Sequence, residues 1–276
     1  LVKKGLTMFQ NLRKSKKLLL IAMTCATFAI AGCGSDTTKT TADNGTSVTW
    51  SETFDGTKTD FTVKSAPTHA VSMSQATTEM MLQLGLEDKM AGTAFKEEEI
   101  YPPLQAAYDK VKVLSEKWPS YEVFMSVKPD FATGWPDSFS KRAIPADKMI
   151  SQKVNIWIPE SMLSTKADLE TNFSDMIKLG EIFGVKPKAE EWVAGQRKTL
   201  AAIQNKLKDL PRKRVFIYDS EDGQPFTAFE GYTTNILKLI GADNVMSGLG
   251  VDKTWAKGSW ETVIAQNPDY IIIADY

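Results

Sequence analysis

The sequence is poor in the residues that most metal and covalent chemistry needs. Its 276 residues include one histidine, His69, and two cysteines, Cys25 and Cys33. A zinc-type site takes about three nitrogen or sulfur ligands, so this donor set excludes a free-metal receptor of that kind. Cys25 lies in an N-terminal leader, which leaves one thiol beyond it and excludes a disulfide. The chain has no Gly-x-Ser-x-Gly elbow, no phosphate-cradling glycine loop and no cysteine–histidine pair, so it carries no enzyme signature. Outside the leader no basic cluster interleaves with aromatics, and nucleic-acid binding finds no support. The apolar run Leu18 to Ala31 is shorter than the about 20 residues that cross a bilayer comfortably.

That run defines the address. Lys3, Lys4, Arg13, Lys14, Lys16 and Lys17 precede it, as in a secretory signal, and it ends in Ile30-Ala31-Gly32-Cys33, which resembles the lipobox of bacterial lipoproteins. Residues 1–32 are expected to be cleaved and Cys33 to carry lipid, placing the protein outside the cell on the membrane. An uncleaved anchor is the alternative, against which the small Ala31 and Gly32 argue. Residues 33–50, rich in Thr, Ser, Asp and Gly, are expected to form a flexible tether, having too little apolar surface to fold. The leader takes six of the 33 basic residues and none of the 34 acidic ones, so the remainder is net −7.

What is present is a repeat. Thr77-Thr78-Glu79-Met80-Met81 runs to Leu84-Gly85, and Ser120-Tyr121-Glu122-Val123-Phe124 leads to Pro129-Asp130-Phe131. Later, Thr233-Thr234-Asn235-Ile236-Leu237 runs to Ile240-Gly241, and Ser259-Trp260-Glu261-Thr262-Val263 leads to Pro268-Asp269-Tyr270. Each copy opens with a β-rich run, Ala70 to Met73 or Val215 to Tyr218, so each reads strand, loop, helix, C-cap, short helix and buried strand. A period of roughly 150 residues is too long for a solenoid and fits duplicated α/β domains.

Short β-type runs at Ala70–Met73, Met90–Ala94, Asp130–Thr133 and Val154–Ile158 alternate with helical stretches, which predicts a mostly parallel sheet over residues 51–166. Residues 167–210 read as helical, and Val193, Leu200, Ile203, Leu207 and Leu210 form a stripe on a helix from Lys188 to Leu210. At about 1.5 Å per residue it would reach on the order of 33 Å, enough to bridge two lobes. Residues 211–276 form the second lobe. It stops at the counterpart of Phe131–Trp135, so roughly 40 to 70 further residues are expected beyond Tyr276.

The segments Ala70–Gly92, Ser120–Trp135 and Asn244–Tyr276 resemble the class III substrate-binding proteins of bacterial ABC importers, which serve ferric siderophores, haem and cobalamin. The resemblance implies an α/β fold of two Rossmann-like lobes with mostly parallel sheets, joined by one long helix, with a ligand cleft between the lobes and the C-terminal lobe incomplete. It also implies that Glu122 and Glu261, one per lobe, dock on arginines of a two-fold permease. The plainer alternative is that both favour the positive ends of short helices, at about 0.3 to 1 kcal/mol each. The chain is expected to act as a monomer, with a small-molecule metal chelate as ligand and no resident cofactor or nucleic-acid partner.

In open α/β sheets ligands gather beyond the carboxyl ends of strands. That rule selects Ser72 to Gln75, Phe95, Lys96, Trp118, Trp135, Phe139 and Pro159 to Ser161 from the first lobe. From the second it selects Ser220 to Phe226, Phe229, Tyr232 and Trp255. The ligand contacts expected from these are Ser72, Trp118, Trp135, Phe139, Phe226, Tyr232 and Trp255, with Arg142 available to an anionic ligand; Lys96 and Lys257 also read as solvated surface charges. So many aromatics at strand ends suit a large, flat or partly apolar ligand, although each also reads as ordinary packing. A ferric siderophore-type complex is the expected cargo. Haem, with Tyr232, His69 or a methionine as axial ligand, and cobalamin stay open, as does a different class, a surface enzyme or adhesin. Glu97-Glu98-Glu99 would repel a strongly anionic ligand if it faced the cleft, and otherwise reads as a solvated helix start.

Overall fold

The computed structural model describes residues 47–274; the expected signal, Cys33 and the tether up to residue 46 lie outside the described residues. The described chain begins with an antiparallel hairpin, β1 (Val48–Phe54) and β2 (Thr57–Val63). Asp55 and Gly56 both adopt positive φ, the backbone that a two-residue hairpin turn demands and that Asp-Gly supplies readily. The strand therefore starts at Val48, inside the stretch expected to be tether. Trp50 explains why: it stacks on Phe61 at 5.6 Å and donates its indole N–H to the Ile156 carbonyl at 2.7 Å.

Next come β3 (Ala70–Ser72), α1 (Gln75–Gln83), β4 (Met90–Ala94), α2 (Gln105–Tyr108), β5 (Val113–Ser115), α3 (Tyr121–Ser126), β6 (Phe131–Thr133), α4 (Ala146–Ser151) and β7 (Asn155–Trp157). The five strands from β3 to β7 form one parallel sheet in the order β5-β4-β3-β6-β7. Four of them coincide with the runs read from the sequence. The fifth, β5, is three residues long at an edge with Val113 exposed, so it leaves little hydrophobic signal. Then α5 (Leu169–Ile182) and α6 (Lys186–Leu207) follow in sequence.

Side chains alternate across the sheet with period two. Ala70, Phe131 and Trp157 pack with Met81 of α1 and with Phe173 and Met176 of α5, while Val71, Ala132 and Ile156 pack with Phe124, Met149 and Phe61 of the hairpin. The sequence reading set Pro187 before the long helix; the structure puts it in the first turn, where its missing N–H costs nothing. At its other end α6 closes before Pro211, since the residue ahead of a proline avoids helical backbone. Its 22 residues span about 33 Å. Val193 is buried, but Ile203 and Leu210 are exposed.

The remaining elements are β8 (Lys213–Tyr218), β9 (Ser220–Glu221), β10 (Pro225–Ala228), α7 (Tyr232–Leu239), β11 (Ala242–Asn244), β12 (Trp255–Lys257), α8 (Trp260–Gln266) and β13 (Tyr270–Ile273). Strands β11-β8-β13 are parallel, and β12-β10-β9 form a separate antiparallel sheet that the sequence reading did not foresee. All four residues of β13 are exposed at the sheet's edge.

The repeat is visible in this topology, because β4-β3-β6 and β11-β8-β13 have the same order and direction. The Pro-Asp turns have the same job in both. Asp130 N–H donates to the His69 carbonyl and its carboxylate accepts from the N–H groups of Thr68 (2.8 Å) and His69 (3.0 Å). Asp269 N–H donates to the Arg214 carbonyl and its carboxylate accepts from Arg214 N–H at 2.9 Å. Each aspartate thus ties the start of one strand to its neighbour, setting the register of the pair.

Candidate functional site

In the five-stranded sheet the chain leaves β3 toward one side for β4 and β5, then crosses to the other for β6 and β7. The strand order reverses between β3 and β6, and that crevice is where an open α/β sheet offers a ligand site. Met73 to Gln75 follow β3 and Gly134-Trp135 follow β6. Gly134 has no room for a side chain: a Cβ there would come within 2.8 Å of Met73 Cβ and 2.9 Å of Ser138 Oγ. This close approach fixes where half-buried Trp135 emerges.

Phe95, at the end of β4, has φ +58°. A bulky residue in left-handed backbone is strained, and such strain persists mainly where the surroundings impose it. Here Phe95 stacks on Trp118 with centroids 4.6 Å apart, and Trp118 is held by donating its indole N–H to the Met73 carbonyl at 3.1 Å. The next turn of chain is pinned by Gln75, whose Oε1 accepts from the N–H groups of Glu97 (2.9 Å) and Glu98 (2.7 Å). Glu97 to Glu99 form a loop rather than the helix start expected of them. Burial raises the pKa of Glu97, a rise that Trp135 partly offsets.

Two expected contacts prove to be interior residues. Ser72 is fully buried, with its hydroxyl engaged by the Ser74 carbonyl and by the hydroxyls of Thr77 and Thr78. Phe139 is buried against Phe54 of the hairpin, at 6.4 Å. Both lie at strand ends as the rule requires, but the N-terminal hairpin and the start of α1 cover them. Arg142 is exposed and ion-paired to Asp137 at 2.5 Å. In the second copy of the repeat Phe226 stacks on Trp255 across β10 and β12 at 6.1 Å, and Tyr232 opens α7. Burial and the charge of Asp175 raise the Tyr232 phenol pKa.

The two halves of the chain meet near Tyr232. Asn235 donates to the Ala167 carbonyl at 2.8 Å, and a Cβ on Gly231, whose φ is +85°, would press on Thr254 and the Ser164 carbonyl. Asp175 accepts from the N–H groups of Glu160 and Ser161, both at 2.9 Å, and Glu52 accepts from Ile158 N–H at 2.9 Å. Two buried carboxylates therefore hold the segment that follows β7. Burial raises both, Glu52 to about 7, and the nearby charge of Glu160 adds to each shift. Sequence reading missed both, since a lone acid in a strand or helix gives no sign of its burial.

Glu122 and Glu261 stand at the second position of α3 and α8, and both are exposed. Ser120 and Ser259 cap the two helices, accepting from Val123 N–H (3.3 Å) and Thr262 N–H (3.1 Å). The pKa of Glu122 is lowered by its own backbone N–H and by Ser120, with a smaller pull from Lys148. Away from the strand ends, a cavity of about 630 Å³ opens between α1, α5 and α6, lined by Glu79, Met80, Tyr101, Leu104 and Trp192 among others. It shares no residue with the aromatic cluster. No group of three metal-ligating side chains occurs among the described residues, and no described helix is long and apolar enough to cross a membrane.

The family model described as periplasmic binding protein matches residues 71–276. The crystal structure of a periplasmic binding protein from Veillonella parvula is 98% identical, with a TM-score of 0.83 over 84% of this chain and 78% of its own. An uncharacterized ABC transporter substrate-binding lipoprotein of Bacillus subtilis, YvrC, is 27% identical over 95% of this chain and 82% of its own. The structure of an ABC-type Fe3+-hydroxamate transport system protein from Saccharomonospora viridis is 20% identical, covers 81% of this chain and 79% of its own, and has a TM-score of 0.64. Proteins of this kind bind and deliver rather than catalyse, and they work outside the cytoplasm. The duplicated parallel sheets, the long α6 and the matched residues agree: the chain belongs to the periplasmic binding protein family, as a substrate-binding component of an ABC importer.

Proposed function

We propose that this protein captures a metal chelate of the ferric siderophore type between its two lobes and delivers it to a permease dimer. The observation that carries the reading is the strained Phe95 stacked on Trp118, whose indole is held by the Met73 carbonyl just after β3, where the strand order reverses. Flat aromatic surface at that crevice offers a large contact area with little conformational entropy to lose, which suits a bulky chelate. Phe226, Tyr232 and Trp255 would meet it from the second lobe. Glu122 and Glu261 would engage the permease, one per lobe, because a two-fold partner presents the same cationic patch twice. Lipid on Cys33 would hold the protein at the membrane.

A second reading, haem or cobalamin, uses the same aromatic surface. The test is a tryptophan-fluorescence titration of the mature protein with ferric siderophores, haem and cobalamin. Saturable quenching by one class at micromolar or tighter affinity is expected and names the cargo. No response from folded protein to any of them would overturn the proposal.

A further inference from the structure

We infer that the cavity between α1, α5 and α6 is a second binding site, and that it takes a small organic ammonium ion with an apolar body. The inference does not depend on which cargo occupies the crevice.

The cavity has the size and the apolar lining of a small-molecule site. Its volume of about 630 Å³ lies within the roughly 300 to 1,000 Å³ usual for such pockets. Met80 of α1, Leu104 just ahead of α2, Met176 of α5 and Trp192 of α6 supply apolar surface from four directions in sequence. Met176 is buried, and Trp192 is steadied edge-on against Phe173 with ring centroids 6.2 Å apart. An apolar body placed there gains contact with side chains that are already held.

Charge and hydrogen bonding then choose among ligands. Glu79 is the one carboxylate in the lining, and no lysine or arginine lines the cavity. Its Oε1 accepts from the Gln75 side chain at 2.9 Å and from Tyr101 N–H at 3.2 Å, which fixes the group in place. Its Oε2 accepts from no described residue, and no described base forms an ion pair with Glu79. Arg197, next to the lining residue Gln196, is engaged by Glu170 at 2.5 Å. Three half-buried amides, Gln83, Asn172 and Gln196, also line the space, and their side chains have no hydrogen-bond partner among the described residues. An ammonium ion has several N–H donors, and it forms charge-assisted hydrogen bonds with a carboxylate and further ones with amide oxygens. A neutral ligand leaves the half-buried carboxylate without a counter-charge, and an anion is repelled by it.

The experiment is calorimetric titration of the mature protein at low salt with three probes of nearly one shape: 2-phenylethylammonium, 2-phenylethanol and 3-phenylpropionate. Saturable binding of the ammonium probe in the millimolar range or tighter is expected, with the alcohol and the carboxylate at least about tenfold weaker. Equal affinity for ammonium and alcohol would overturn the charge assignment, and no saturable binding of the ammonium probe to folded protein would overturn the site. Two variants, checked for folding by their melting curves, test its place. Glu79→Gln keeps an acceptor for Tyr101 N–H and removes the charge, so the ammonium probe should fall to the affinity of the alcohol. Gln196→Lys supplies the missing base from the surface of α6, where a lysine suits the helix, and should weaken the ammonium probe about tenfold. Unchanged affinity in either folded variant would overturn the assignment to this cavity.

Discussion

Thr133, at the end of β6, is fully buried, and its hydroxyl has no hydrogen-bond partner among the described residues. An unpaired buried hydroxyl costs about 1 to 3 kcal/mol, so the nearly isosteric Thr133→Val should raise stability by about 1 kcal/mol. A urea melt with a lowered midpoint would contradict this. Glu52 links stability to pH. Its carboxyl rises from the ordinary 4.5 to about 7, chiefly through burial. The folded state then holds the proton more tightly than the unfolded chain, so the stabilisation is fully present below about pH 4.5 and lost as pH climbs through about 7. The loss is on the order of 3 kcal/mol. Glu52→Gln keeps an acceptor for Ile158 N–H and removes the titration. Urea melts at pH 5 and pH 8 should show a flatter dependence in the variant, with a residual slope of the same sign from Asp175, which burial also raises. An unchanged slope would exclude Glu52 as its source.

Between elements, the Pro-Asp turns decide register. Asp130 joins β6 to β3 through three accepted bonds, two from backbone N–H and one from the Thr68 hydroxyl, whereas Asp269 joins β13 to β8 through one. Asp130→Ala should therefore cost about 2 kcal/mol and Asp269→Ala about 1, measured by chemical denaturation. Equal costs would mean that the two turns bear the same load despite their different bonding. The crevice also depends on an element-level fit, since β3 and β6 approach closely enough at Gly134 to exclude a methyl group. Gly134→Ala should cost about 1 to 3 kcal/mol by overpacking and displace Trp135, seen as a shifted emission maximum.

For the whole molecule, the two capped helices with their exposed glutamates give a test of delivery. Reversing Glu122 and Glu261 to Lys should abolish uptake in cells and leave chelate affinity within about twofold, since both are exposed on capped helices. A matching loss of affinity would refute the docking role. Between the two copies of the repeat the chain runs through a 22-residue helix, and Asn235 of the second copy donates to the Ala167 carbonyl. A continuous helix resists bending because its hydrogen bonds are cooperative, so ligand should change the radius of gyration by only a few tenths of an ångström. Small-angle scattering showing a large closure would contradict this.

Much of this protein was legible as pattern. Alternating apolar runs gave four of the five strands of the larger sheet, threonine pairs, Ser-aromatic-Glu segments and Pro-Asp turns gave the duplicated copies, and the strand-end rule brought out Trp118 and Trp135, because each depends on neighbours along the chain. The tertiary structure alone decided what those neighbours could not: that Ser72 and Phe139 are covered, that Glu52 and Asp175 are buried without a base, and that Glu97 to Glu99 lie in a loop held by Gln75. The physical reason is common to all of these. Burial and desolvation are properties of the space around a side chain, and that space is filled in part by distant segments, 22 residues away where Gln75 meets Glu97 N–H and 106 where Glu52 meets Ile158.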